Sequence, residues 1–157
     1  MTALDDNDKP VGMAVGSFTS VSLDPPLVAF LPDKSSSTFP KILAAKRFCA
    51  NVLGSDQQHV CRSLARKGDE KFTDVDWTPT PSGMPRILGS LAWIDCEIDA
   101  VHDAGDHNIV VGRVHHLELD TPESPLIFFR GGYGGFAAAD AHAEAILALI
   151  GNGHVAR

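Results

Sequence analysis

The feature that most restricts the fold is an alternation of apolar and acidic residues over residues 92–100. Apolar side chains occupy every second position, with Asp95, Glu97 and Asp99 between them. Because successive side chains of a strand point to opposite faces, this period predicts a strand with one buried face. Turn residues follow at 103–106, and residues 109–119 then have the character of the partner strand. The sequence therefore predicts a long antiparallel hairpin.

Shorter apolar runs predict further strands at residues 11–18, 27–31, 48–53 and 126–130. One helix is expected after an N-cap at Thr38, and a second between an N-cap at Asp56 and the glycine Gly68. Residues 137–150 predict a terminal helix, and the segment 73–90, rich in Pro and Gly, an ordered excursion. Most elements are thus strands joined by hairpins, which favours a mainly β fold, an antiparallel barrel with short capping helices.

Length and charge narrow the class of protein. The 157 residues contain no internal repeat or linker, so we expect a single domain over 1–157. A net charge of -7 without a basic run argues against nucleic acid as a partner. No apolar stretch approaches the roughly 20 residues that cross a bilayer, and the first residues lack the features of a signal peptide. These observations predict a cytoplasmic protein that does not enter a membrane.

Metal and redox motifs are missing from the sequence. The three cysteines, Cys49, Cys61 and Cys96, form no C-x-x-C pair, which predicts reduced thiols that act as small apolar residues. His115 and His116 are adjacent in a predicted strand and so face opposite sides. We therefore expect no metal site.

A glycine-rich segment also fails to indicate a nucleotide-binding βαβ unit. Residues 132–137, GYGGFA, fit G-x-G-x-x-A between a predicted strand and helix. The second strand of such a unit, with its acidic residue about 20 positions on, has no room in the remaining chain. No G-x-S-x-G elbow of a serine hydrolase occurs either.

Two hydroxyl-rich segments are candidate binding sites. Ser17, Thr19 and Ser20 end a predicted strand, where they either bind a polar ligand edge or form an ordinary turn. The run of Ser35, Ser36, Ser37 and Thr38 precedes a predicted helix. Unpaired N–H groups and the helix dipole suit an anion such as phosphate there, although simple N-capping explains the run equally well.

Four further residues are candidates on chemical grounds. Asn51 lies in an apolar strand, where its amide must satisfy a backbone group or read the edge of a heterocycle. Lys71, followed by Phe72, either pairs with a phosphate or is solvated. His107 follows a turn and points either into a cleft or to solvent.

Taken in order, these segments resemble the flavin reductase-like, FMN-binding split-barrel family, which includes the short-chain reductase components of two-component monooxygenases. Residues 11–28, VGMAVGSFTSVSLDPPLV, carry the strongest resemblance. It continues at 34–40, at FCANVL (48–53), KGDEKF (67–72), LAW (91–93), GDHNIVVG (105–112) and FRGGY (129–133). It thus spans almost all of residues 11–136.

The resemblance implies a split β-barrel that binds FMN or FAD and catalyses hydride transfer from NADH or NADPH. It also implies a homodimer that passes reduced flavin to a separate oxygenase. Thr19 and Ser20 match the pair that lines the isoalloxazine, and His107 and Tyr133 match positions that orient the nicotinamide and the flavin. The full set of implied flavin-binding residues is Ser17, Thr19, Ser20, Ser35, Ser36, Ser37, Thr38, Asn51, Lys71 and Phe72.

The chain departs from the family pattern in two places. Family members usually carry a helix and a first strand before the region of residues 1–10, so the N-terminus looks shortened, and Gly16 stands where a serine is common. Two alternatives remain: a flavin-binding carrier or sensor without turnover, and a relative that binds a deazaflavin or haem-like ligand. NADH consumption separates the first alternative from a reductase, and the absorption spectrum separates the second.

Overall fold

The computed structural model describes residues 1–120 and 124–136. Seven strands form one antiparallel sheet in the order β2-β1-β5-β8-β9-β4-β3, with open edges at β2 and β3. A mainly β fold with two short helices is confirmed. Its strands are β1 (Thr2–Leu4), β2 (Pro10–Gly12), β3 (Thr19–Leu23), β4 (Pro26–Phe30), β5 (Arg47–Val52), β6 (Trp77–Pro79), β7 (Pro85–Ile87), β8 (Ala92–Ala104), β9 (His107–Leu119), β10 (Ile127–Phe129) and β11 (Gly132–Gly134); the helices are α1 (Phe39–Ala45) and α2 (Gln58–Ala65).

The predicted long hairpin is confirmed as β8 and β9, which pair from Ala92–Leu119 to Ala104–His107. The register shifts between Asp95 and Cys96 and again between Ile98 and Ala100. Such bulges interrupt the alternation of faces. Asp95 is consequently buried, and the loop before β7 covers it, since both the backbone N–H and the hydroxyl of Ser82 donate to its carboxylate. The alternation predicts a buried apolar face with the acidic residues on the other side, and this prediction is wrong at Asp95.

Three phenylalanines form the centre of the core. Phe30 of β4 packs edge-to-face on Phe48 of β5, with 5.1 Å between ring centroids, and on Phe39 of α1 at 6.4 Å. Gly112 of β9 allows this packing, because a Cβ there would lie 2.5 Å from Cζ of Phe48. The hairpin, the adjacent strands and α1 are thereby fixed against one another.

Several predicted boundaries are wrong. The strand expected at 11–18 ends at Gly12, because its pairing with β1 ends at Thr2. Thr38 has helical dihedral angles and makes no cap, whereas Ser36 Oγ accepts the N–H groups of Thr38 and Phe39. Gln57 rather than Asp56 precedes α2, and the helix ends at Ala65 and not near Gly68.

Two further predicted segments are present in the structure, and one lies outside the described residues. The strand expected at 126–130 is present as β10, and the 73–90 excursion contains the small hairpin β6–β7. The predicted helix at 137–150 lies outside the described residues. In the part of the chain that the structure describes, neither helix is long and apolar enough to span a membrane.

We predict that Gly112→Ala destabilises the protein. The added methyl group overlaps the Phe48 ring, and overpacking of this kind costs about 1–3 kcal/mol. Thermal unfolding should show a lower Tm than wild type. Gly135→Ala is the matched control, because a Cβ at Gly135 meets nothing within 4 Å. Equal melting temperatures for the two variants would contradict the contact.

Candidate functional site

A cavity of about 510 Å³ opens beside the end of β5. Its walls come from the 13–18 segment, from residues 50–53, from α2 and from the β10–β11 hairpin, and they are mostly apolar. The volume lies within the range of about 300–1,000 Å³ that is typical of small-molecule sites. A flat aromatic ligand with a polar edge matches this lining.

Tyr133 closes one side of the cavity. Its hydroxyl donates to Sγ of Cys61 at 3.6 Å, and the guanidinium carbon of Arg62 lies 5.6 Å from the ring centroid. Phe128 packs against the same ring at 5.2 Å. The hydrogen bond to Cys61 raises the pKa of Tyr133, so the phenol stays neutral at physiological pH. The β10–β11 hairpin thus presents a fixed, uncharged aromatic wall.

The hairpin is anchored next to the cavity through backbone hydrogen bonds. Leu126 N donates to the carbonyl of Leu53, and Ser55 N to the carbonyl of Ser124, each at 2.9 Å. Arg130 and Gly131 take positive φ angles of 50° and 81° in its tight turn. The turn and the anchors together hold Tyr133 over α2.

Asn51 lines the cavity and is also tied into the sheet. Its Nδ2 donates to the hydroxyl of Thr2 at 3.0 Å, and its Oδ1 accepts the N–H of Ile87 at 2.8 Å. The residue therefore joins β1, β5 and β7 while one side faces the cavity. The first of the two roles that the sequence left open, satisfying a backbone group, is thus present, and the role at a heterocycle edge stays a prediction.

The hydroxyl-rich segment forms a second region, here called the serine loop (residues 33–38). Hydrogen bonds from the side chain of Ser35 and from its backbone N–H, which lies 2.6 Å from Asp33 Oδ1, lower the pKa of Asp33. The loop is held against the β8–β9 turn, since Lys34 N donates to the carbonyl of Asp106 at 2.9 Å. Asp33 also forms a β-bridge with His107.

His107 stands at this junction of the serine loop and the hairpin turn. Its Nδ1 lies 2.8 Å from a carboxylate oxygen of Asp106, and its ring is 40% exposed. The fold therefore places His107 beside Asp33, at the start of the loop that carries Ser35, Ser36 and Ser37. Tyr133, which the resemblance paired with His107, lines the cavity, whereas His107 does not.

The first hydroxyl segment borders the serine loop. Ser17 Oγ accepts the N–H of Leu31 at 3.0 Å and donates to its carbonyl at 3.3 Å. Thr19 and Ser20 begin β3, where they pair with β4 and are exposed. Gly16 and Phe18, on either side of Ser17, line the cavity, so the 13–18 segment separates the cavity from the hydroxyl surface.

Three predicted ligand residues point elsewhere. Lys71 is buried, and its ammonium donates to Gly12 O, Thr38 Oγ1 and Leu64 O, which uses all three of its protons. The predicted phosphate contact at Lys71 would therefore require the ammonium to give up one of these acceptors. Thr38 is buried as one of its acceptors, and Phe72 packs on the small core cluster around Leu64 and Ile87.

Cys61 and Arg62 were missed by the sequence reasoning. From the sequence, one can predict only that Val60 and Leu64 form the apolar face of α2. The partner of both residues is Tyr133, and the hydrogen bond to it spans 72 positions, which no local spacing reports.

The described residues also contain no group of three metal-ligating side chains that could hold an ion.

With this geometry established, comparison with known proteins assigns the family. A model of the flavin reductase like domain matches residues 1–137. The chain belongs to the flavin reductase-like family. A flavin reductase of Pseudomonas putida is 54% identical over 138 residues, which cover 88% of this chain and 81% of that protein. The reductase subunit of a flavin-dependent monooxygenase from Rhodococcus jostii is 45% identical, with coverage of 86% and 69%.

Solved structures of this family share the fold. The nitrilotriacetate monooxygenase component B homologue of Mycobacterium thermoresistibile has a TM-score of 0.82 and 45% identity, covering 87% of this chain and 76% of that one. A Streptomyces globisporus NADH:FAD oxidoreductase, solved with NAD and FAD fragments, has a TM-score of 0.81 and 33% identity, with coverage of 89% and 84%. The split-barrel expectation is thereby confirmed, and the open sheet edges agree with it.

We predict that one thiol, Cys61, reacts in the native protein. Burial raises the pKa of Cys49 to about 12 and also raises that of Cys96, so neither forms a thiolate at pH 8. Cys61 is partly exposed at the cavity. Titration with an aromatic disulfide reagent should give one equivalent in buffer and three in urea. Native labelling that persists in Cys61→Ser would contradict this assignment.

Proposed function

We propose that this chain is an NAD(P)H:flavin oxidoreductase that supplies reduced flavin to a partner monooxygenase. The observation that carries the proposal is the apolar cavity between Asn51 and Tyr133, in a chain of the flavin reductase-like family. Relatives bearing the names FMN reductase (NADH), from Agrobacterium fabrum, and monooxygenase reductase subunit support the same activity. The chain acts as one domain over residues 1–157.

The residues present fit a flavin. The apolar walls suit the faces of the isoalloxazine, and Asn51, whose amide is bonded to Thr2, Cys49 and Ile87, lies in the wall beside the ring. Thr19 and Ser20, exposed at the start of β3, offer hydroxyls at the border of the serine loop. Ser35 and Ser37 are exposed in that loop and suit the ribityl chain and phosphate of FMN or FAD.

Ser17, Ser36 and Thr38 support this surface from behind. Ser17 holds the 13–18 segment to Leu31, and Ser36 accepts N–H groups at the start of α1. Their hydroxyls are therefore engaged by the protein, and they shape the loop that the exposed serines present.

The chain contributes orientation and exclusion of water. When bound, the flavin accepts a hydride from the nicotinamide of NADH or NADPH, so the redox chemistry belongs to the two cofactors. Tyr133, neutral and held by Cys61, provides a wall against which an aromatic ring stacks. His107, oriented by Asp106 beside the serine loop, positions the nicotinamide substrate. Alignment of this kind supplies most of the gain in rate, and the hydride step needs no residue to abstract a proton.

We also propose that the reductase is a homodimer that transfers reduced flavin to an oxygenase in the cytoplasm. β9 pairs with β4 only as far as Arg113, so residues 114–119 have one edge without a partner strand among the described residues. Leu117 and Leu119 on this stretch are 59% and 76% exposed, which favours burial against a second copy. The free thiols at Cys49, Cys61 and Cys96 suit a reducing compartment.

The central experiment is NADH oxidation by the purified protein with and without FMN. We expect turnover that depends on flavin, and His107→Ala should lower kcat/KM for NADH by about tenfold, or about 1.4 kcal/mol. His102→Ala, an exposed histidine on the same hairpin, is the matched control. Turnover that is equal in both variants would remove His107 from the site.

The rate at which a thiol reagent labels Cys61 gives a measure of flavin binding that does not depend on turnover. Because Cys61 lines the cavity, FMN should slow its labelling by a thiol reagent, and Tyr133→Ala should weaken that protection. Protection without any NADH oxidation would replace the reductase by a flavin carrier or sensor. Labelling that FMN leaves unchanged would place the flavin outside this cavity.

The dimer is tested by light scattering. The double variant Leu117→Lys with Leu119→Lys should have half the mass of wild type in solution, because two charges cannot be buried at an apolar interface. The control is Leu88→Lys, a leucine of similar exposure away from β9. A wild-type protein that runs as a monomer would contradict the proposal.

A further inference from the structure

Among the residues that the structure describes, Lys71 is the one buried lysine, and its environment is unusual for a cation. Its Nζ lies 3.0 Å from Gly12 O, 3.0 Å from Thr38 Oγ1 and 3.2 Å from Leu64 O. All three acceptors are neutral. An ammonium group has three N–H donors and no acceptor, so these contacts satisfy it completely.

No carboxylate lies among those acceptors. The nearby Asp69 instead pairs with Lys41, with 2.6 Å between Nζ and Oδ1. Burial lowers the pKa of Lys71, as expected for a cation that has lost water. A buried charge with neutral partners is costly for stability alone, whereas an apolar side chain of the same length would fill the space.

The three acceptors belong to the three elements that surround the proposed flavin site. Gly12 ends β2 and leads into the 13–18 segment, and Thr38 ends the serine loop. Leu64 lies on α2 and lines the cavity, one turn from Cys61. One ammonium group therefore joins the cavity wall to the loop that presents the exposed hydroxyls.

These elements also meet at close range, so the junction is stiff. A Cβ on Gly12 would lie 2.9 Å from Cδ2 of Leu64 and 3.2 Å from Cε2 of Phe72. Phe72, directly after Lys71, fills the space on the other side of this crossing. A small shift of Lys71 must therefore also move the serine loop and the wall of the cavity.

We propose that Lys71 is a positioning residue of the flavin site and does not bind the flavin phosphate. It sets the distance between the serine loop and the cavity, so that the ribityl chain and the ring, which FMN and riboflavin share, are held together. This inference rests on the proposed function of the cavity and the serine loop. It separates Lys71 from a phosphate ligand, since a positioning residue affects every flavin alike.

The test compares two flavins, FMN and riboflavin, which lacks the phosphate. Lys71→Met should raise the Kd of both by about tenfold, the loss expected for one or more hydrogen bonds to a charged group. The ratio of the two constants should stay at its wild-type value. Flavin fluorescence titrations well below Tm measure both constants, and a loss of stability alone would leave each of them at its wild-type value. Lys67→Met removes an exposed lysine nearby and should change neither constant.

A second variant tests the same proposal if Lys71→Met does not fold. Thr38→Val retains the ammonium and removes one acceptor, so both constants should again rise by the same factor. A variant in which FMN binding falls while riboflavin binding is unchanged would make Lys71 a phosphate ligand and overturn the proposal. Unchanged binding of both flavins would also overturn it. A wild-type protein that binds neither flavin would refute the proposed function itself, and this inference with it.

Discussion

The pairing of β8 with β9 positions the strands on both sides of it, and through them the two regions of the candidate site. β5 adds to β8 on one side, with Phe48 opposite Cys96, and β4 adds to β9 on the other, with Val28 opposite Gly112. β5 runs on to the cavity, and β4 leads to the serine loop. The turn of the same hairpin then binds that loop through the carbonyl of Asp106. A single hairpin thus fixes both halves of the candidate site, and the Gly112–Phe48 contact sets how tightly they approach.

The hairpin could be predicted from the sequence because its determinants are local. Alternating side chains and turn residues lie within about 30 positions, and both are direct consequences of strand geometry. The cavity could not be predicted, because its walls come from segments that are far apart in the chain. The contact of Tyr133 with Cys61 spans 72 residues, and that of Lys71 with Gly12 spans 59. The sequence left Lys71 as either a phosphate partner or a solvated lysine, whereas in the structure it is buried and donates to three acceptors of the protein.

The errors in the predicted elements have the same origin. An apolar run such as residues 11–18 predicts a strand only if a neighbouring strand is present to accept its hydrogen bonds. Beyond Gly12 the chain instead lines the cavity, and Ser17 forms hydrogen bonds with the backbone of Leu31. Asp95 shows the converse case, since a bulge and the hydroxyl of Ser82 allow a carboxylate to be buried where alternation predicts exposure. In both places a tertiary partner, and not the local pattern, decides the structure.

The distribution of charge suits a flavin that is held and then released. The described lining of the cavity contains no Asp, Glu, Lys, Arg or His side chain, and the one nearby buried cation, Lys71, is fully used by the protein. Without a fixed charge at the ring, binding depends on apolar contact and on hydroxyl groups at the tail. A site of this kind fits the role of a reductase whose product must leave for a second protein, and it explains why the chain places its cation behind the loop rather than in the pocket.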